Sequence, residues 1–167
     1  MISHLVCALS LVVFYSLQTA VFSQATLISG TADVVLLFLA AWSLQEQVKN
    51  SWLWTVIAGM LISLASAMPL FAPLIAYIGV VSISKLIQKK VWRSPILAMF
   101  IVTLLGTLFQ QGLYILVLQI SGADIPLGIS LDHVTLPSLL LNLIFALPVY
   151  AVVSELVGRI YPLEVET

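Results

Sequence analysis

Long apolar stretches are the feature that most constrains the fold of this chain. Six of them occupy residues 5–22, 28–44, 52–68, 70–86, 95–118 and 136–157. A helix needs about 20 mainly apolar residues, with a range of about 17 to 25, to cross the hydrocarbon core of a bilayer. The sequence therefore predicts an all-α membrane protein, a bundle of six transmembrane helices in a single domain covering residues 1–167.

The composition excludes an ordinary soluble fold. Hydrophobic residues make up 62% of the chain and charged residues 8%, whereas about a quarter of a soluble domain is charged. So few ionisable side chains cannot coat a soluble domain of this length. The net charge of -1 gives no reason to expect a nucleic-acid partner.

The boundary between the third and fourth stretches lies at Pro69. Together they form an apolar run of 35 residues from Trp52 to Leu86. One helix of this length would be about 50 Å long at 1.5 Å per residue, which exceeds the hydrocarbon core of about 30 Å. We therefore predict two helices joined by a tight turn rather than one bent helix.

Positive charge is concentrated in one polar segment, "SKLIQKKVWRSP". Six residues of the chain are Lys or Arg, and this segment contains four of them, Lys85, Lys89, Lys90 and Arg93. Lys and Arg in short loops favour the cytoplasmic side of a membrane. With six alternating spans, Lys49 and Arg159 fall on that same side, so both termini are predicted to be cytoplasmic. We expect the segment chiefly to fix this topology. A contact with anionic lipids or with a cytoplasmic partner is compatible with that role.

Recognisable catalytic and metal-binding patterns are missing from the sequence. It contains no HExxH, GxSxG, Walker loop or paired-cysteine spacing. His4 and His133 fall near opposite faces of the predicted bundle, so they cannot share a metal ion. Asp124 and Asp132 lie in a polar loop, where we expect solvated side chains. We predict no catalytic residue, no metal site and no cofactor, and we expect that the protein is not an enzyme.

Polar side chains within the predicted spans are the candidate functional residues, because they are costly at membrane depth. Asp33 begins the second span, where its carboxylate either caps the helix or contacts a packed partner. Amides within spans join helices by hydrogen bonds worth about 0.6 to 2 kcal/mol, or they serve a functional contact. The candidate residues are Asp33, Gln110, Gln111 and Asn142, and Gln18 in the first span is a similar amide.

Small residues and a proline complete the set of helix-packing candidates. Gly59, Ser63 and Ala67 recur every four positions along the third span, which favours close approach of a neighbouring helix. Pro148 lies within the sixth span, where it removes a backbone donor and is expected to kink the helix.

Four stretches carry a resemblance to a known family. They are "TADVVLLFLAAWSL" with Asp33, "AGMLISLASAMPLF" with Gly59, the basic segment, and "LPSLLLNLIFALPVYAVVSELVGRIYP" with Asn142 and Pro148. With the chain length and the six spans, their order is similar to that of the bacterial rod shape-determining protein MreD family. The resemblance covers nearly the whole chain.

The chain departs from the pattern of that family at three positions. Ala32 stands in place of the proline before the aspartate of the second span. Ser63 stands where an aspartate is common and Phe71 where a glycine is common.

The resemblance implies a non-enzymatic scaffold of the cell-elongation machinery in the bacterial cytoplasmic membrane. Members of this family associate with an MreC-type membrane protein. Through that protein they are linked to the MreB filament, to RodA and to a class B penicillin-binding protein. Membrane lipids would be further partners.

Two alternatives remain at the level of the sequence. The fold of the MreD family is similar to that of the S component of energy-coupling-factor transporters. An S component would bind a vitamin or another small molecule in a cavity lined by Asp33 and the loop from Ser121 to Thr135. An enzyme acting on lipid carriers would need convergent acids or a metal site, and the sequence contains no such pattern.

The proposed orientation can be tested by removing the charges of the basic segment. Replacement of Lys85, Lys89, Lys90 and Arg93 by glutamine removes the main cytoplasmic retention signal, so a mixture of orientations is expected. Labelling of single cysteines in the loops with an impermeant maleimide on intact cells measures the orientation. Unchanged labelling in the variant would contradict the role of the segment in topology.

Overall fold

Helices account for every regular element in the part of the chain that the structure describes. This structure is a computed structural model, and it describes residues 2–24, 26–90, 94–123 and 126–161. Within these ranges β pairing is limited to an isolated bridge between Leu27 and Gly30. The prediction of an all-α protein is confirmed for these residues.

Seven α-helices follow one another in the described residues. Three of them are continuous with a π-helical turn: Gln18–Phe22 extends α1, and Leu131–Thr135 joins α6 to α7. The helices are α1 (Ile2–Leu17), α2 (Val34–Leu44), α3 (Ser51–Ala65), α4 (Phe71–Lys90), α5 (Pro95–Ile120), α6 (Leu127–Ser130) and α7 (Leu136–Ile160).

Among the described residues, four helical segments are long and apolar enough to cross a membrane. They are Ser3–Phe22, Phe71–Lys90, Pro95–Ile120 and Leu127–Ile160. The protein is therefore a helical membrane protein. The third and fourth predicted spans are separate helices, because α3 ends at Ala65 and α4 begins at Phe71. The division predicted at Pro69 is thus confirmed.

The second predicted span starts later than residue 28, which corrects its boundary. Residues 26–33 form an irregular segment, and α2 has only 11 residues. Ile28 has a φ of 59°, which a right-handed helix does not allow. Gly30 lies against the start of α7, where a Cβ atom would be 2.5 Å from the Ser138 backbone nitrogen. This close approach requires glycine.

The short helix α2 lies at the centre of the bundle. Each of its residues from Val34 to Leu44 is buried, because α1, α3, α4, α5 and α7 all pack against it. A helix that is apolar on every side needs such an environment. At 1.5 Å per residue its length is about 16 Å, about half of a bilayer core. Both ends of α2 therefore need polar partners inside the protein.

One end of the bundle gathers the basic residues of the described chain. His4 at the start of α1 is 3.2 Å from the Asn50 side chain before α3. Lys85 near the end of α4 donates to the Val48 carbonyl after α2 (3.2 Å). We call this end the cationic end; its basic residues are Lys49, Lys85, Lys89, Lys90 and Arg159. Arg93, which the sequence analysis grouped with them, lies outside the described residues.

The contact between α3 and α4 depends on small residues. A Cβ atom at Gly59 would lie 3.0 Å from the Cα of Leu74 and 2.8 Å from its Cδ1. Ser63 donates within α3 to the Gly59 carbonyl (2.6 Å) and across the turn to the Leu70 carbonyl (2.7 Å). Ala67, the third member of the predicted ridge, follows the end of α3. The helix contact therefore involves Gly59 and Ser63.

Substitution of Gly59 tests this contact. Gly59→Val is expected to lower the free energy of unfolding by about 1 to 3 kcal/mol, because the added methyl groups must displace Leu74. Gly112→Val in α5 is the matched control, since a Cβ atom at Gly112 meets no atom within 4 Å. Denaturant titration in detergent measures both. Equal loss of stability in the two variants would contradict close packing at Gly59.

Candidate functional site

The carboxylate of Asp33 is the centre of a hydrogen-bonded network within the bundle. Asp33 precedes α2, and its Oδ1 accepts from the Leu36 backbone N–H (2.8 Å). The Tyr77 hydroxyl of α4 lies 3.1 and 3.0 Å from the two carboxylate oxygens. Gln110 Nε2 of α5 donates to Oδ2 (2.6 Å). The side chain therefore caps its own helix and also joins two other helices to it.

The backbone around Asp33 is held by two amide side chains. Asn142 Oδ1 of α7 accepts from the Asp33 N–H (2.8 Å), and its Nδ2 donates to Thr107 Oγ1 of α5 (2.9 Å). Gln18 Nε2 donates to the Ala32 carbonyl (3.0 Å), while its Oε1 accepts from the Val34 N–H (2.6 Å). The π-helical turn of α1 begins at Gln18. We call these groups the Asp33 network: Gln18, Asp33, Tyr77, Thr107, Gln110 and Asn142.

The oxygens of the Asp33 side chain are satisfied by neutral hydrogen-bond donors. The one ion pair among the described residues is Glu155–Arg159, an exposed pair in α7 at 2.5 Å. For Asp33, the donors named above replace the hydrogen bonds that water would supply. These groups bind one another, so the network acts as a joint between α1, α2, α4, α5 and α7.

A cavity lies next to this joint, at the end of the bundle opposite the cationic end. Its volume is about 300 Å³. We call it the hydroxyl-lined cavity, because its polar lining consists of Thr31, Gln111, Tyr114, Ser130, Thr135 and Ser138. Gln110 Nε2 lies 3.4 Å from the Tyr114 hydroxyl, so the cavity wall touches the Asp33 network. Asp33 itself does not line the cavity.

A second concave surface, the lateral groove, runs between α1 and α7. Its walls extend from Val6 to Phe22 on α1 and from Phe145 to Leu156 on α7, and its volume is about 540 Å³. The rings of Phe22 and Phe145 meet edge to face at a centroid distance of 4.9 Å and close one end. Ser10 is the one polar side chain among its described lining residues. The groove is therefore an apolar surface at membrane depth.

Pro148 lies in the α7 wall of this groove. The helix continues through it from Leu136 to Ile160. Because proline has no N–H, the carbonyl of Ile144 loses its usual donor within the helix. Pro148, which the sequence predicted to be a helix-packing residue, therefore lines the groove. The carbonyl of Ile144, one turn earlier, lacks its usual helical hydrogen bond.

The C-terminal end of α2 is held by α4. Gln88 Nε2 donates to the Leu44 carbonyl (3.0 Å), and the Lys85 ammonium donates to the Val48 carbonyl (3.2 Å). Lys85 is partly buried, whereas Lys89 and Lys90 are exposed. Lys85 thus has a structural contact that its two neighbours do not have.

The structure brings together some of the candidate residues and separates others. Asp33, Gln110 and Asn142 belong to one network. Gln111 lies on the cavity, Pro148 on the groove, and Gly59 with Ser63 at the contact of α3 with α4.

Sequence reasoning missed several residues in the network and next to it. Tyr77, Thr107 and Ser138 are not unusual in apolar helices, so residue type does not single them out. Ser138 Oγ accepts from the Thr31 N–H (3.1 Å) across 107 positions of sequence. The one available signal was the clustering of hydroxyl and amide side chains along α5, at Thr103, Thr107, Gln110 and Gln111.

Substitution of Asn142 tests the energetic role of the joint. Asn142→Leu leaves the Asp33 N–H and the Thr107 hydroxyl without their partner, so a loss of about 1 to 3 kcal/mol in unfolding free energy is expected. Gln119→Leu is the matched control, because this amide is exposed at the end of α5. Thermal unfolding of both variants in nanodiscs gives the comparison. Similar stabilities would contradict a buried structural amide.

Comparison with known proteins adds no further assignment. No protein-family model, no curated protein and no solved structure matches this chain. The interpretation of the joint, the cavity and the groove therefore depends on their own geometry.

Proposed function

We propose that this protein is a non-enzymatic scaffold of the bacterial cell-elongation machinery, of the MreD type. It would reside in the cytoplasmic membrane and bind an MreC-type membrane protein. Through that partner it would act with the MreB filament, RodA and a class B penicillin-binding protein in peptidoglycan synthesis. The lateral groove is the observation that carries the proposal, because it offers an apolar helix a place to dock.

The groove has the dimensions and chemistry that suit a single transmembrane helix. From Val6 to Phe22 its α1 wall rises about 24 Å at 1.5 Å per residue, which approaches the thickness of the bilayer core. Ser10 supplies a polar contact on its α1 wall. Helices associate in membranes through close packing and a few such hydrogen bonds. An apolar partner helix with a hydroxyl or amide side chain fits both features.

Two of the stretches that resemble the family meet in the fold. The first contains Asp33 and the last contains Asn142, and the two residues are joined by the hydrogen bond from the Asp33 N–H. Such a contact explains why both residue types would be kept in one family pattern. The contact supports the resemblance through two specific polar residues, and not only through the similarity of apolar stretches.

The proposed topology has six spans with both termini in the cytoplasm. Basic residues favour the cytoplasmic side, so we assign the cationic end to it. The two short helices, α2 and α3, would span with the help of the irregular segment 26–33 and the turn before α4. Irregular backbone is tolerated at membrane depth where protein covers it. This arrangement is the one expected for a fold similar to S components.

A vitamin-binding S component is the second candidate, and the hydroxyl-lined cavity is the observation that favours it. Ser130 and Thr135 line this cavity, and both belong to the loop that was expected to bind a vitamin. The Asp33 carboxylate, however, is used within the Asp33 network. Co-purification distinguishes the two candidates: an energising ATPase pair would favour the transporter, and an MreC-type protein would favour the scaffold.

Filling the lateral groove tests the scaffold proposal. Val13 and Val152 are 55% and 50% exposed on its two walls. The double substitution Val13→Trp and Val152→Trp is expected to reduce co-purification of the MreC-type partner at least about tenfold, a change of about 1.4 kcal/mol. Val56→Trp is the control, because Val56 is an exposed residue of α3 outside the groove.

Two results would count against the proposal. Absence of an MreC-type protein from pull-downs of the unaltered chain would argue against the scaffold itself. Normal recovery of the partner with the double variant would place the docking surface elsewhere. Circular dichroism and thermal unfolding would establish that both variants are folded.

A further inference from the structure

The hydroxyl-lined cavity contains polar groups that the fold does not use. Within the described residues, the side chains of Thr31 and Gln111 make no hydrogen bond to the protein, although both line the cavity. Ser138 Oγ accepts from the Thr31 N–H, so its own proton is available. The Tyr114 hydroxyl faces the Gln110 amide as an acceptor, which leaves its proton available as well. Donors and acceptors are therefore present together.

The size of the cavity is that of a small-molecule site. Ligand sites in proteins have volumes of about 300 to 1,000 Å³, and this cavity has about 300 Å³. It would hold about ten waters at 30 Å³ each. Apolar side chains, among them Met68 and Ile115, make up the rest of the lining. Such a mixture suits a molecule with both hydrogen-bonding and apolar parts.

Electrostatics restrict the charge of this molecule. None of the described lining residues is ionisable to a cation or a carboxylate at neutral pH. A charged compound would leave water for a cavity in which no described side chain of opposite charge compensates it, and burial of an uncompensated charge is costly. A neutral compound meets no such penalty.

We propose that the hydroxyl-lined cavity is a binding site for a neutral small molecule that carries hydroxyl or amide groups. Tyr114 and Ser138 would donate to it, and Gln111 and Thr31 would complete its hydrogen bonds. This site goes beyond the scaffold proposal, because it assigns a ligand to the protein independently of any partner.

Ligand binding would stabilise the bundle through the elements that form the cavity. Its polar lining comes from the segment before α2, from α5, from α6 and from the start of α7. A ligand that contacts Thr31, Tyr114 and Ser138 would tie three of these elements together. Because it binds the folded state alone, it would raise the unfolding temperature.

The experiment uses the full chain, purified without partners and reconstituted in nanodiscs. Two compound pairs serve as probes, pantothenol with pantothenate and glucose with glucuronate. Each pair exchanges a neutral hydroxymethyl group for a carboxylate. Calorimetric titration gives the dissociation constants, and thermal unfolding gives the stabilisation. We expect at least one neutral compound to bind with a Kd below about 1 mM, and its acid at least about tenfold more weakly.

The double variant Thr31→Val and Gln111→Leu tests the location. Neither side chain has a hydrogen bond within the described protein to lose, so folding is expected to be normal, while affinity for the neutral compound should fall at least about tenfold. Gln119→Leu, on the same helix outside the cavity, should bind normally. The proposal is overturned if neither neutral compound binds up to about 1 mM, if the acids bind equally well, or if the double variant binds like the unaltered chain. Co-purification tests the scaffold separately.

Discussion

A helix that ends inside an apolar environment must find hydrogen-bond partners for its terminal backbone groups, and this requirement organises the whole bundle. The helix α2 is buried on all sides and too short to place its ends in water. At the start of α2, the side chains of Asp33, Gln18 and Asn142 accept from N–H groups that have no partner within the helix. At its end, Gln88 and Lys85 donate to the carbonyls of Leu44 and Val48. Each unsatisfied group would cost about 1 to 3 kcal/mol. Helices α1, α4 and α7 are thus fixed relative to α2 by polar contacts as well as by apolar packing.

The polar residues that hold the helices together are different from those that are free to bind another molecule. The side chains of the Asp33 network bind one another, so they are not available to an outside molecule. Two of the surfaces that remain available are the lateral groove, which is nearly free of polar groups, and the hydroxyl-lined cavity, which has several unused ones. An apolar helix suits the first and a small neutral compound suits the second. The protein would therefore meet a macromolecular partner and a ligand at different places.

Much of the architecture could be predicted from the sequence, because apolar length and turn residues are local signals. The break near Pro69 and the polar residues of interest were found in this way. The start of α2 was predicted wrongly, since the backbone of segment 26–33 is determined by the contact of Gly30 with α7. Partners such as Tyr77 and Ser138 were also missed. Their importance comes from distances across the fold, and a single sequence does not contain those distances.

The separation in sequence between Asp33 and Asn142 also has a consequence for biosynthesis. The two residues are 109 positions apart, and ribosomes extend a chain by about 5 to 20 residues per second. Asp33 is therefore synthesised roughly 5 to 20 seconds before Asn142, whose side chain accepts the hydrogen bond from the Asp33 N–H. During this interval the nascent chain holds an incompletely paired helix start in or near the translocation machinery, and its final arrangement is reached only when the last helix emerges.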